Sequence, residues 1–219
     1  MKFVTNYPRH MTGDLLRAVH DLPKVSPYLH VPAQSGSDAV LRRMRRHYTE
    51  AQYREMLHRI RETVPGASVT SDFIVGFCGE TEADFEKTRE LVRDGRFKIS
   101  FIFKYSARPG TKAAEQFADD VPHAEKQRRN NELLAVQNAV SEEENHPFVG
   151  RSVEILVEGP SKTSLKQAGS EMDRQLVGRT ICDRIVVFDG PETLIGQVLP
   201  VTIQQATAFT LFGSVRPCS

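Results

Sequence analysis

Ser71-Asp72-Phe73-Ile74-Val75-Gly76-Phe77-Cys78-Gly79-Glu80-Thr81 is the stretch that decides the fold. It opens on apolar β-formers, passes through two glycines and ends on a threonine suited to capping a helix. Strand, tight turn and capped helix in that order are half of a parallel β-α-β unit. Downstream, Phe85, Leu91 and Val92 recur at helical spacing, Gly95 stops the helix, and Lys98–Tyr105 reads as the next strand. Upstream, the strand extends back to Ser68, and Tyr28–Val31 and Phe3–Thr5 read as further strands. Between them Thr49 and Gln52 form a Thr-x-x-Gln capping box. Tyr53, Met56, Leu57, Ile60 and Val64 follow on one helical face, and Pro65-Gly66 ends it. Ser37 or Asp38 opens a short helix holding Val40, Leu41 and Met44. The expected class is α/β, a parallel sheet with crossover helices. Four strands are too few for a closed parallel barrel, so the sheet is either open or lacks its first strands.

Past Tyr105 the pattern changes. His123–Asn145 reads as one long polar helix with Leu133, Leu134, Val136 and Val140 as a narrow apolar stripe, ended by Pro147. From Phe148 the chain alternates: 153–157, 184–188, 199–203 and 208–213 are short β-rich runs separated by Gly, Pro and Asp. That pattern predicts a small all-β barrel. The expected divisions are 1–122, a linking helix over 123–147, and a β domain over 148–216.

Bulk charge excludes little, because the formal net charge is +1; a nucleic-acid partner would have to use local patches. No apolar run reaches the length of a membrane span, and the first residues lack a signal-peptide core, so the expected location is cytoplasmic. The three cysteines, Cys78, Cys182 and Cys218, are scattered. They fit neither a disulfide framework nor a grouped-thiolate metal site, and no metal ligand is expected among them.

Four stretches could carry chemistry. His30-Val31-Pro32-Ala33-Gln34-Ser35-Gly36-Ser37-Asp38 puts small polar groups at the ligand-binding edge of a parallel sheet, and also reads as plain helix capping. Asp72 inside an apolar strand needs a partner, either a structural one or a ligand. Arg108, in Tyr105-Ser106-Ala107-Arg108-Pro109-Gly110-Thr111, is either an exposed loop residue or a holder of phosphate or carboxylate. The run Arg42-Arg43-Met44-Arg45-Arg46-His47 is either a solvated helix face or a phosphate contact.

In order along the chain, Thr5-Asn6-Tyr7-Pro8, the 30–38 stretch, Met44-Arg45-Arg46-His47-Tyr48-Thr49, the 71–81 stretch and Tyr105–Thr111 resemble the radical-SAM methylthiotransferases. The likeness is greatest to the MiaB type, which methylthiolates isopentenyladenosine beside the tRNA anticodon. Ile155–Gly159, Val177–Thr180 and Arg184–Gly190 are similar to the TRAM domain that ends those enzymes. The resemblance implies a partial (βα) barrel that binds S-adenosylmethionine and a [4Fe–4S] cluster, and a small barrel that binds tRNA. It places Gln34, Ser35, Gly36, Asp72, Gly76 and Glu80 by S-adenosylmethionine, with Arg46 as a further contact. It places Arg108, Arg151, Lys162, Lys166, Arg179 and Arg184 on tRNA. From Phe148 onward seven Lys/Arg face seven Asp/Glu, so a phosphate-binding patch there would be one-sided.

The chain also departs from that family. The family's Cys-x-x-x-Cys-x-x-Cys loop and its N-terminal cluster domain are absent, Cys78 stands where Pro is usual, and Asp183 where Asn is usual. The expectation is a fragment with no catalytic residue of its own, inactive alone and monomeric. It would be a truncated product, an incomplete gene reading or one part of a split protein. Two alternatives stand beside it: the sibling that methylthiolates an aspartate of a ribosomal protein, and a non-catalytic RNA-binding fragment. Ala107-Arg108-Pro109-Gly110-Thr111 favours the tRNA type, since the sibling usually carries acidic residues there.

Overall fold

The computed structural model describes residues 1–162, 164 and 174–215, in two compact units, Met1–Val140 and Ser141–Ser219.

In the first unit, α1 (Gly13–Asp21), α2 (Asp38–Arg43), α3 (Glu50–Thr63), α4 (Glu82–Asp94) and α5 (Lys112–Gln116) surround β1 (Tyr28–His30), β2 (Ser68–Val75) and β3 (Ile99–Lys104). The strands form a parallel sheet in the order β1-β2-β3. The Thr49/Gln52 capping box is present, and Tyr53, Met56, Leu57 and Ile60 of α3 are buried. Thr81 caps α4 through Asp84, and Gly95 ends it. One sheet face carries Leu29, Val69, Phe73 and Val75 into a core shared with Leu16, Met56, Ile60, Phe85, Leu91 and Phe97. Truncating one of its phenylalanines would cost about 3–5 kcal/mol.

The alternation of side chains puts Asp72 and Ile74 of β2, and their register partners Phe101 and Phe103 of β3, on the other face. That face is open. Phe101 is 46% exposed and Phe103 54%.

Phe3–Thr5 is not a strand. Its contribution shrinks to a neighbouring backbone bond, Asn6 N–H donating to His30 O at 2.9 Å, because Pro8 starts a 3₁₀ turn (Pro8–His10) two residues later. The helix α1 escaped the sequence reading; Thr12 caps it, and it buries only Leu16 and Val19.

The long helix α6 spans His123–Asn145. Its buried positions include Lys126, Arg129, Leu133, Gln137 and Val140, while Leu134 is exposed. The buried stripe is therefore mostly polar, and Leu134 does not belong to it. Polar residues fill that face because they satisfy backbone carbonyls. Asn130 donates to Ile102 O at 3.1 Å, and Gln137 to Phe97 O at 2.9 Å.

The second unit is a closed barrel, β4-β5-β6-β8-β7. Its strands are β4 (Ser152–Pro160), β5 (Arg174–Arg179), β6 (Ile185–Gly190), β7 (Val198–Ala206) and β8 (Thr210–Ser214). Ile155, Val157, Leu176, Val186, Phe188, Val201, Ile203 and Leu211 fill it. β5 was missing from the β-runs read in the sequence, since Arg174, Gln175, Gly178 and Arg179 dilute its apolar content. Among the described residues no helix is long and apolar enough to cross a membrane.

Candidate functional site

The carboxyl edge of the parallel sheet collects most of the residues singled out in the first unit. β1 ends at His30, yet the chain returns to the sheet at Gln34, whose N–H donates to Asp72 O at 2.8 Å and whose carbonyl accepts from Ile74 N at 2.9 Å. Between these points the backbone is tied down by buried hydroxyls. Tyr53 Oη donates to Val31 O at 2.6 Å, Tyr48 Oη donates to Ala33 O at 3.0 Å, and Ala33 N donates to Ser71 Oγ at 2.9 Å. Burial pushes the Tyr48 phenol up to about 12, so it stays a donor. Gln34 itself has φ +68°. A left-handed glutamine costs of order 1–3 kcal/mol and is typical of ligand edges; no sequence signal would have found it.

Ser35 and Gly36 turn away from the open face, into α4. Ser35 Oγ lies 3.2 Å from Thr88 Oγ1, and Gly36 N donates to the same oxygen at 2.9 Å. A Cβ on Gly36 would strike the Lys87 carbonyl and the Thr88 backbone. Both residues are buried packing positions that shape the edge from behind. Ser37 caps α2 and also donates to Asp84, so the same hydroxyl ties α2 to α4.

Asp72 remains on the open face. Its Oδ2 lies 3.5 Å from His30 Nε2, while His30 Nδ1 is 2.9 Å from Thr70 Oγ1, which donates to Tyr28 Oη at 3.1 Å. The carboxylate is only partly buried, and the rest of its acceptor capacity faces outward.

Gly76 and Glu80 shape the turn after β2 from inside. Gly76 has φ +71°, and the Lys126 side chain lies against it. Glu80 accepts from Phe77 N at 3.0 Å and lies 3.5 Å from Arg129, which also donates to Glu80 O at 3.0 Å. Burial pushes the Glu80 carboxyl up to about 7, against the opposing pull of the Phe77 N–H and Arg129. Both residues set the position of the turn, with little surface left for a ligand. Lys126 and Arg129, which hold that turn, gave no signal in the sequence beyond being charged.

Beyond Ile74 a cleft of about 540 Å³ opens. Arg43, Arg45, Arg46, Lys104, Arg108 and Lys112 line it, together with Phe77, Phe103, Tyr105 and Phe117. Arg46 and Arg108, assigned to different ligands from the resemblance, thus share one cavity.

In the second unit Arg151 and Lys162 are exposed. Lys166 lies outside the described residues. Arg179 is ion-paired with Glu158 at 3.2 Å and Asp183 at 3.1 Å. Arg184 is only 8% exposed, stacks 4.5 Å over the Phe148 ring and donates to Asn145 Oδ1. Its burial removes it as a surface phosphate contact, which the alternating pattern around it could not reveal.

Residues 1–92 match the Radical SAM superfamily, and residues 147–215 match the TRAM domain. This chain joins a Radical SAM segment to a TRAM domain. It is 58% identical over 219 residues to a tRNA-2-methylthio-N(6)-dimethylallyladenosine synthase of Rhodopirellula baltica, an alignment covering 99% of this chain and 45% of that protein. To the synthase of the same name from Delftia acidovorans it is 45% identical over 98% of this chain and 47% of the relative. The Radical SAM–TRAM chain therefore spans just under half the length of these relatives. Among solved structures, the coproporphyrinogen III oxidase of Escherichia coli is similar over 61% of this chain and 30% of its own, with TM-score 0.48 and 22% identity.

Proposed function

We propose that this chain supplies part of the S-adenosylmethionine edge and the RNA-binding end of a tRNA methylthiotransferase that modifies N6-dimethylallyladenosine. The observation that carries this reading is the pairing, at one sheet edge of a Radical SAM segment, of the left-handed Gln34 with the outward-facing Asp72 carboxylate. The domain scheme proposed with it is 1–122 for the barrel part, 123–147 for the connecting helix and 148–216 for the TRAM domain.

The donor set suits S-adenosylmethionine. Asp72 offers an acceptor for a ribose hydroxyl or the methionyl amine, and Arg46 Nε is a buried donor without a partner. When bound, that cofactor supplies the radical and the methyl group. The chain's own residues bind and orient it: Gln34 through its fixed backbone, Asp72 by accepting hydrogen bonds, and the Gly76–Glu80 turn by holding the edge in place. Among the described residues no three His, Cys, Asp or Glu side chains form a metal site, so these residues do not fit an iron–sulfur cluster. The names of the relatives favour tRNA over the ribosomal-protein alternative.

Calorimetric titration of the chain with S-adenosylmethionine tests the reading. Binding that Asp72→Asn weakens about tenfold, the worth of one charge-assisted hydrogen bond, supports it. No binding, or equal binding by the variant, counts against it.

A further inference from the structure

The open face of the parallel sheet carries a line of polar side chains. Tyr28 and His30 flank buried Leu29 on β1, and Thr70 and Asp72 alternate with buried Ser71 and Phe73 on β2, so the four share that face. Their contacts run in sequence: Asp72 Oδ2 to His30 Nε2 at 3.5 Å, His30 Nδ1 to Thr70 Oγ1 at 2.9 Å, and Thr70 Oγ1 to Tyr28 Oη at 3.1 Å. The line is braced from outside. Asn6 donates to His30 O from its backbone N–H at 2.9 Å and from its side-chain amide at 3.3 Å. The imidazole meets the Phe101 ring edge-on at 6.1 Å and is only 12% exposed. Lys2 and Lys98 stand over the Tyr28 ring at 4.1 and 5.4 Å. Gln34 N–H, donating to Asp72 O at 2.8 Å, fixes the backbone of the carboxylate.

The protons along this line decide what the imidazole presents to Asp72. The Thr70 hydroxyl has one proton to give. Given to Tyr28 Oη, it leaves Oγ1 to accept from His30 Nδ1–H. Nε2 then faces the carboxylate either as a bare lone pair, which is repelled, or as a second N–H, which is attracted. With both hydroxyls rotated the other way, Thr70 donates to Nδ1 and the single ring proton sits on Nε2. Every arrangement free of repulsion therefore puts an N–H on Nε2, aimed at Asp72. The 3.5 Å separation exceeds the usual N–H···O range of about 2.7–3.2 Å, as expected of a contact that tightens once a ligand draws on the carboxylate.

We propose that His30 is a positioning residue for Asp72: its Nε2–H holds Oδ2, so that Oδ1 stands ready to accept from the bound cofactor. Thr70 and Tyr28 fix the ring from behind. A carboxylate already held in one rotamer loses less freedom when the ligand arrives, which is how supporting side chains raise affinity without touching the ligand. The role rests on the S-adenosylmethionine reading above.

Two measurements on the full chain test it. In nitrogen-15 spectra of the histidine-labelled chain near neutral pH, the His30 signals are those missing from His30→Asn. Nε2 should resonate as a protonated nitrogen and should move when S-adenosylmethionine is added; an unprotonated Nε2 overturns the proposal. Calorimetric titration with S-adenosylmethionine is the second. His30→Asn keeps an amide beside Thr70 but is too short to reach Asp72, and should weaken binding about tenfold. His30→Gln, whose amide N–H reaches the carboxylate, should recover to within about threefold of the parent. In an Asp72→Asn chain, His30→Asn should cost less than about twofold more, because the group it acts through has gone. Thermal melts check that each variant folds; if His30→Asn does not, the parent spectrum and the His30→Gln titration decide. If His30→Asn binds like the parent, or costs the same with and without the Asp72 carboxylate, the positioning role is overturned and the cofactor reading stands. If the parent binds no S-adenosylmethionine, the cofactor reading falls and this role falls with it.

Discussion

Lys126 lies across Gly76: its side chain occupies the space in which a Cβ on residue 76 would stand. The lysine ammonium then donates to Tyr105 O at 3.2 Å and pairs with Asp119. A helix residue thus clamps the turn after β2 to the end of β3. Gly76→Ala meets two obstacles, the φ of +71° and this side chain, and should cost about 2–4 kcal/mol. Gly66 has φ +79° with open space around it, so Gly66→Ala meets only the first obstacle and should cost about 1–2 kcal/mol. Urea melts of the two variants measure the difference, and equal costs would mean that Lys126 yields freely.

Glu80 gives the same turn a pH dependence. Its carboxyl titrates near 7 when folded, raised by burial from an ordinary value of 4.5. Between those values the folded chain keeps a proton that the unfolded chain has released. The stability contributed by this group is therefore full below about pH 4.5 and is lost as the pH rises through 7. Glu80→Gln stays neutral throughout, while Arg129 keeps Glu125 at 2.9 Å and Glu82 at 3.2 Å. The stability of the variant relative to the parent should rise between about pH 5 and about pH 8. Denaturant titrations at the two pH values read this directly; a constant difference would count against a buried, protonated Glu80.

What the sequence made legible follows from where its signals reside. The strand at Ser68–Val75, both capped helices and the barrel nature of the last third are written in short-range chemistry: β-branched runs, Thr-x-x-Gln, and glycine at turns. Asp72 stood out because a carboxylate in an apolar strand is costly unless partnered. The left-handed Gln34, the burial of Arg184 under Phe148 and the convergence of Arg45 with Arg108 are products of tertiary packing. A basic residue reads the same in sequence whether it faces solvent, a ring or a cleft. The strand over Phe3–Thr5 failed for a related reason, since three β-formers have no local means of securing a partner.

Asp183, where asparagine was the expected residue, has φ +68° in the turn between β5 and β6. Asp and Asn tolerate that conformation better than other residues with a Cβ. Asp183→Asn should therefore keep the turn and weaken the Arg179 ion pair, changing stability by no more than about 1 kcal/mol. Asp183→Val should cost about 2 kcal/mol, because a β-branched residue is strongly disfavoured there. Thermal melts rank the two, and equal effects would argue that the turn relaxes.

Arg179 and Arg184 separate structure from binding within the TRAM domain. Arg184 is buried, with its guanidinium on Phe148 and a hydrogen bond to Asn145, whose side chain also donates to Thr207 O at 2.8 Å. Arg184→Ala removes the cation–π contact and one hydrogen bond and leaves Asn145 partly unsatisfied, a loss of about 2–3 kcal/mol. Because its cation is not presented to solvent, the slope of log affinity for RNA against log salt should not move. Arg179 is partly exposed and shared between Glu158 and Asp183. Its removal should cost no more than about 1 kcal/mol. If phosphate displaces one of those carboxylates, Arg179→Ala also flattens the salt slope by about 0.7–0.9. Melts and filter binding of the two single variants, each at several salt concentrations, test both statements. A salt slope that changes with Arg184→Ala in a protein that still melts like the parent would return that arginine to the RNA interface.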